Sequence, residues 1–377
     1  MKHLAKTILA AATLLAPLTQ AQTAAPLTQP QSPAQAQPQT HWPTQSATYD
    51  IPNFKFGSGE TLPTLRLHYL TLGTPHKNSQ GHTDNAILLL HGTGGNATSL
   101  LNPAFSDVLF GPGQPFDITK FFLILPDDIG HGDSSKPSDG LHAKFPQYDY
   151  DDMVRSQKTM LEQGLHVDHL RLILGTSMGC MQSFVWGETY PTYMDALAPF
   201  ACLPVPLAGR NRMWRYMAIK AIKDDPAWQG GEYKTEPAQG LTFANDLLLI
   251  AGGAPLQLQK NFPTRDSIEH YVDTSVARTV AASDANNLIF YVNASRNYNP
   301  APNLSKIVAP VLWINSADDF INPPELGIAQ KLDPHIPHAK FILLPITDAT
   351  RGHGTHTVAT IWKDYLIQFL AETEPHK

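Results

Sequence analysis

A serine hydroxyl becomes a nucleophile only when a base takes its proton and a carboxylate orients that base. The chain offers all three in usable places. Gly175-Thr176-Ser177-Met178-Gly179 ends one apolar run and opens a helical pattern. Small residues on both sides of Ser177 suit a sharp strand-to-helix turn that lifts its hydroxyl to the helix N-terminus. The acidic pair Asp318-Asp319 follows the apolar run 311–314, and Gly352-His353 follows the run 341–344. Serine, acid and histidine in that chain order, each past a strand-like run, make a nucleophile, an orienting carboxylate and a base. The spacing to Pro323 prefers Asp319 over Asp318, and the preceding glycine prefers His353 over His356. His356 then starts a helix or lines the pocket.

Acyl transfer also needs donors for the oxyanion. Leu90-His91-Gly92-Thr93-Gly94-Gly95 follows the apolar run Ala86–Leu90, and its glycines let backbone N–H groups turn towards a substrate. The expected donors are the N–H groups of Thr93 and of Met178, the residue after the nucleophile. A phosphate loop would end in Lys-Ser/Thr, which this one lacks. Residues 126–135 crowd Asp127, Asp128, His131, Asp133 and two serines together. They read as a turn held by side-chain to backbone hydrogen bonds. No metal-ligand spacing stands out, so neither a metal nor a cofactor is implied.

The elements that must position these residues follow from periodicity. Strand-like runs at 65–70, Ala86–Leu90, 121–125, 170–174, 196–201, 311–314 and 341–344 alternate with helical patterns, as at Met153, Gln157, Met160 and Leu161. That alternation predicts an α/β fold with a mostly parallel central sheet flanked by helices. The interval from Cys202 to Val311 is too long for a loop. Its helical patterns at 213–223, 241–251, 267–277 and 285–293 predict a helical lid inserted after the strand at 196–201. The core is then 47–202 and 306–372, with the lid at 203–305.

Residues 1–21 have a basic start, an apolar stretch and small residues before a cut after Ala21, the pattern of a cleaved signal peptide. The apolar stretch is shorter than the roughly 20 residues that span a bilayer, so no stable membrane anchor is expected. The implied location is the periplasm or outside the cell. Residues 22–46, rich in Gln and Pro, read as a linker. With 377 residues and 27 Lys+Arg against 33 Asp+Glu, the chain has no basic excess for a nucleic acid partner. A homodimer is compatible with the sequence. Cys180 and Cys202 could form a single bridge; two small buried hydrophobes are the expectation.

From about Tyr49 to Leu370 the sequence resembles the α/β-hydrolase superfamily. Ala221-Ile222, Asp225-Pro226-Ala227-Trp228-Gln229-Gly230-Gly231-Glu232-Tyr233 and Gly240-Leu241 are similar to the lid of the homoserine O-acetyltransferase group, as is Ser177-Met178-Gly179 in the elbow. The resemblance implies a Ser177–Asp319–His353 triad that moves an acyl group from coenzyme A to a hydroxyl. Two features depart from that group and point to water as the acceptor. A leader would take the protein away from coenzyme A thioesters, and Asp128-Ile129-Gly130-His131-Gly132-Asp133-Ser134 is similar to ordinary hydrolases.

The expected protein is therefore a secreted serine hydrolase of esterase type acting on a small-molecule acyl ester. An O-acyltransferase of the homoserine type is the alternative, and a non-catalytic ligand-binding protein the third reading. The basic run Arg210, Arg212, Arg215, Lys220 and Lys223 could wall a carboxylate site; a solvated helix face is the expectation.

Overall fold

An apolar run such as Ala86-Ile87-Leu88-Leu89-Leu90 makes a stable strand only if both of its faces are covered. In the computed structural model, which describes residues 41–373, it is strand β3 (Ala86–Leu90) and every residue in it is buried. The other strands are β1 (Gln45–Lys55), β2 (Thr61–Leu72), β4 (Phe122–Pro126), β5 (Leu172–Thr176), β6 (Leu197–Phe200), β7 (Val311–Ser316) and β8 (Ala339–Leu344). They form one sheet in the order β1-β2-β4-β3-β5-β6-β7-β8. β1 and β2 run antiparallel, β2 meets β4 antiparallel, and the remaining pairs are parallel.

Register is what gathers the site. Leu90 pairs with Gly175, Thr176 with Phe200, Phe200 with Ile314, and Ser316 with Leu344. The carboxyl ends of β3, β5, β6, β7 and β8 thus lie in one row, and every candidate residue follows one of those ends. Such a row is where open α/β sheets bind ligands.

The helices are α1 (Pro103–Leu109), α2 (Tyr150–Thr159), α3 (Met178–Thr189), α4 (Gly209–Asp224), α5 (Ala238–Gly252), α6 (Pro255–Asn261), α7 (Arg265–Ala281), α8 (Ala285–Asn293), α9 (Ile328–Leu332) and α10 (Lys363–Glu372). Alternate side chains of β3 enter different cores. Leu88 and Leu90 join Met153, Trp186 and Trp313 on one face, and Ile87 and Leu89 join Phe105, Phe110 and Trp362 on the other. Helices α4 to α8 are the insert between β6 and β7. Phe290 of α8 packs edge-on against Phe145, with ring centroids 6.1 Å apart, and so seats the insert on the β4–α2 connection.

Three expectations need correcting. The 22–46 linker reaches too far, because Trp42 packs on Phe110 with centroids 5.6 Å apart and β1 begins at Gln45. As an exposed edge strand carrying Pro52, β1 has little of the apolar alternation that reveals a strand. Helix α6 was also not expected, since seven residues are too few to display a helical period. The cysteines, expected as separate buried side chains, are bridged: Cys180 in α3 and Cys202 after β6 form a disulfide with Cα atoms 5.8 Å apart. The parallel β5–β6 pairing sets the first turn of α3 beside the residues leaving β6. The bridge closes a separation of 22 residues, for which loop entropy gives about 3 kcal/mol. Urea unfolding of Cys202→Ser is expected to show a loss of that size, and an unchanged midpoint would count against the bridge. The proposed signal peptide and most of the linker lie outside the described residues.

Candidate active site

The turn between β5 and α3 holds Ser177 at φ 55° and ψ −107°, a conformation that a non-glycine residue adopts only under constraint. The constraint is visible in the two flanking glycines. A Cβ on Gly175 would lie 2.0 Å from the Gly179 carbonyl oxygen, and one on Gly179 would lie 2.4 Å from that of Leu90. Only glycine lets α3 pack this close to β3 and β5. The Ser177 N–H donates to the Phe200 carbonyl at 2.9 Å, which pins the turn to β6.

The three residues expected to act together meet here. His353 Nε2 lies 2.8 Å from Ser177 Oγ, and His353 Nδ1 lies 2.9 Å from Asp319 Oδ2. Asp319 is buried and also accepts from the N–H groups of Ile321 (2.7 Å) and Asn322 (3.2 Å) and from Asn322 Nδ2 (2.9 Å). Burial pushes its carboxyl up, but the neighbouring His353 ring and these donors outweigh that and hold it below the ordinary range. With a carboxylate at Nδ1, the neutral imidazole carries its proton there and offers Nε2 as acceptor to the Ser177 hydroxyl.

Asp318 has a separate task that the sequence did not disclose. It accepts from the Ser316 hydroxyl and from the Gly352 N–H at 3.0 Å, fastening the histidine loop to the end of β7. His356 does not start an α-helix; it lies within a short 3-10 helix (Gly354–Thr357), half-buried, with its ring centroid 5.2 Å from that of His353. Burial pushes it down to about 3.

The glycine loop after β3 abuts the nucleophile, since a Cβ on Gly92 would sit 3.3 Å from that of Ser177. In this loop the Gly95 N–H donates to the Gly92 carbonyl (3.0 Å) and the Gly94 N–H to His131 Nε2 (3.3 Å). The Gly179 N–H donates to the His91 carbonyl at 3.0 Å. The N–H groups of Thr93 and Met178, the two expected donors, have no hydrogen-bond partner among the described residues. His131 was assigned only to a turn, yet it supports this loop and stacks on Tyr291 of α8 at 5.1 Å. No sequence signal marks that contact.

In the rest of the 126–135 segment Asp127 makes the expected side-chain to backbone bonds, whereas the buried Asp128 accepts from the side chains of Gln157 and Gln182 instead. Asp127 accepts from His68 Nδ1 (2.7 Å) and from the N–H groups of Ala97 (2.6 Å) and Asp133 (2.7 Å). His68, Asp127 and Asp133 bring possible ligand atoms within 4.8 Å of one another. Both Asp127 oxygens already accept hydrogen bonds, however, and His68 Nε2 is engaged by Ser46 Oγ at 2.9 Å. The donor set therefore does not fit a metal.

The alpha/beta hydrolase fold family matches residues 85–347. The chain belongs to that family. It is 28% identical over 311 residues to a homoserine O-acetyltransferase of Pelobacter propionicus, spanning 72% of this chain and 81% of that one. A probable acyltransferase of Methanothermobacter thermautotrophicus is 28% identical over 324 residues, 85% of this chain and 96% of the relative. Among solved structures, esterase E22 matches at TM-score 0.75 and 20% identity, over 87% of this chain and 100% of its own. The group resemblance drawn from the lid and elbow residues thus holds.

In this alpha/beta hydrolase fold protein a cavity of about 720 Å³ opens onto Ser177 and His353. Leu203, Val205, Leu207, Phe320 and Ile321 make much of its wall apolar. The basic run of α4 does not behave as one solvated face. Lys220 pairs with Asp224 at the surface, and Lys223 sits 5.7 Å over the Trp228 ring. Arg210 and Arg215 both line the cavity, Arg210 exposed and 3.8 Å over the Phe320 ring, Arg215 buried.

The half-buried His356 makes a pH-dependent contribution whose sign can be worked out. Its folded value of about 3 lies below the unfolded value, which is about 6.5, so on acidification the unfolded chain takes up the proton first. The stability difference between wild type and His356→Gln should shift against wild type by about 2 kcal/mol between pH 7 and pH 5. Comparing the two proteins cancels groups of opposite sense, such as Glu236, which burial raises to about 7. Urea midpoints at the two pH values supply the measurement; a constant difference would mean that His356 is not held neutral.

Proposed function

We propose that the protein is a serine acyl hydrolase of esterase type acting on small esters. The observation that carries this reading is the continuous hydrogen-bonded chain Asp319–His353–Ser177 at an apolar cavity, with two unpartnered N–H groups beside it. Ser177 Oγ attacks the ester carbonyl as His353 Nε2 takes its proton. The N–H groups of Thr93 and Met178 receive the developing oxyanion, and Asp319 stabilises the imidazolium. The tetrahedral intermediate collapses as His353 protonates the leaving alcohol. Water then attacks the acyl-Ser177 ester, with His353 again as base, and releases the acid.

An acyltransferase would share every step except the last, with a hydroxyl compound in place of water. The 28% identity to a homoserine O-acetyltransferase is the observation that favours it. Water is preferred because the leader pattern of residues 1–21 directs the chain away from coenzyme A thioesters. The Cys180–Cys202 bridge supports the same periplasmic or extracellular location, since disulfides persist in oxidising compartments.

The deciding experiment mixes purified protein with excess p-nitrophenyl acetate and follows p-nitrophenol through the burst into the steady state. Sustained turnover that needs Ser177 supports hydrolysis. A stoichiometric burst that stalls until a hydroxyl compound is added supports transfer and overturns the preference for water.

A further inference from the structure

Among the described residues two arginines are deeply buried, and they are treated differently. Arg171 has Asp195 at 3.9 Å, and its Nη2 donates to the Leu370 and Thr373 carbonyls and to the Thr373 hydroxyl. Arg215, at 2% exposure, has much less. Its Nε donates to Asn211 Oδ1 at 2.9 Å, Nη1 reaches the Val292 carbonyl at 3.4 Å, and the guanidinium lies 4.6 Å from the centroid of the Trp214 ring. Among the described residues no carboxylate oxygen lies within 4.0 Å of its nitrogens, whereas Arg171 has Asp195; burial disfavours its charge, the Tyr150 hydroxyl favours it and the neighbouring Arg212 disfavours it. A guanidinium taken out of water with no counter-ion is unfavourable unless an anion restores the balance.

The acids of the cavity are not that anion. Asp319 holds His353, Asp318 holds Gly352 and Ser316, and Glu325 lies exposed at the rim. Arg215 lines the same cavity as Ser177, and so does Asn211, whose amide NH2 has no acceptor among the described residues. Guanidinium and amide together offer donors to a single planar anion, in a wall that is otherwise largely apolar. A neutral ester would fill the apolar part and leave the arginine uncompensated.

We infer that the natural ester carries a carboxylate, which Arg215 and Asn211 receive while the ester carbonyl sits at Ser177. This rests on the hydrolase reading of the site and adds to it the class of substrate. The carboxylate can belong to the acyl side, in a half-ester of a dicarboxylic acid, or to the alcohol side, in an ester of a hydroxy acid.

Two matched pairs separate those sources: p-nitrophenyl hemiglutarate against p-nitrophenyl pentanoate, and 4-acetoxybutanoate against pentyl acetate. For wild type, kcat/KM is expected to favour the charged member of one pair by at least about tenfold. In Arg215→Gln that ratio should fall by at least about thirtyfold, and Arg215→Lys should keep part of it. The ratio is the readout because a purely structural arginine would alter both members alike. Glutarate binding by calorimetry, wild type against Arg215→Gln, reads the same contact without turnover. Sustained Ser177-dependent turnover with no preference for either charged ester overturns the carboxylate inference and leaves the hydrolase reading standing. Glutarate binding that needs Arg215, with no turnover of any ester, does the reverse. Should Arg215→Gln not fold, the wild-type preference alone decides.

Discussion

Ser177→Ala is expected to lower the turnover of p-nitrophenyl acetate by about four to six orders of magnitude, as the loss of an activated serine does elsewhere. The acyl-enzyme cannot form without Oγ, so the burst should vanish together with the steady state. Two features protect this test from trivial failure. Ser177 Oγ has one hydrogen-bond partner among the described residues, His353 Nε2, and alanine removes a single atom from the turn. Stability should therefore stay close to wild type while activity collapses. A residual rate within about tenfold of wild type would place the nucleophile elsewhere.

The second large effect comes from a change of one atom type. Asp319→Asn keeps the shape of the acid and is expected to lower kcat by about 10⁴. An asparagine oxygen would still accept from the Ile321 and Asn322 N–H groups, which turns its NH2 towards His353. The imidazole then accepts at Nδ1 and carries its proton on Nε2, facing Ser177 with no lone pair to offer. Asp318→Asn tests the same loop without touching the ring, because Asp318 grips the Gly352 backbone. A larger loss from Asp318→Asn than from Asp319→Asn would reverse the two roles. The bridged Cys180 and Cys202 lie close to all these positions, so each comparison belongs in oxidised protein.

The candidate triad was legible because each of its members follows an apolar run that had to be a strand. Glycine flanks Ser177 for a reason that leaves a trace in sequence: two carbonyl oxygens occupy the space a Cβ would need. Choosing between Asp318 and Asp319 rested on loop spacing alone, and the structure explains why both are present. The environment of Arg215 was not legible. A helix with a cation in nearly every turn looks solvated, and which of its cations is buried depends on how α8 packs against it, a long-range fact with no local signature. β1 and the disulfide were missed for the same reason. An edge strand of polar alternation and a pair of cysteines 22 residues apart acquire meaning only from the strands beside them.

The insert that carries Arg215 leaves the core after β6 and returns at β7, and those strands are neighbours, with Leu197 beside Val311 and Phe200 beside Ile314. Its two attachment points are therefore close together. A segment joined in this way can be lengthened, shortened or exchanged without rethreading the sheet, like a cassette in a fixed frame. On the proposed reading the triad belongs to the frame and Arg215 to the cassette, so descent can revise one while conserving the other.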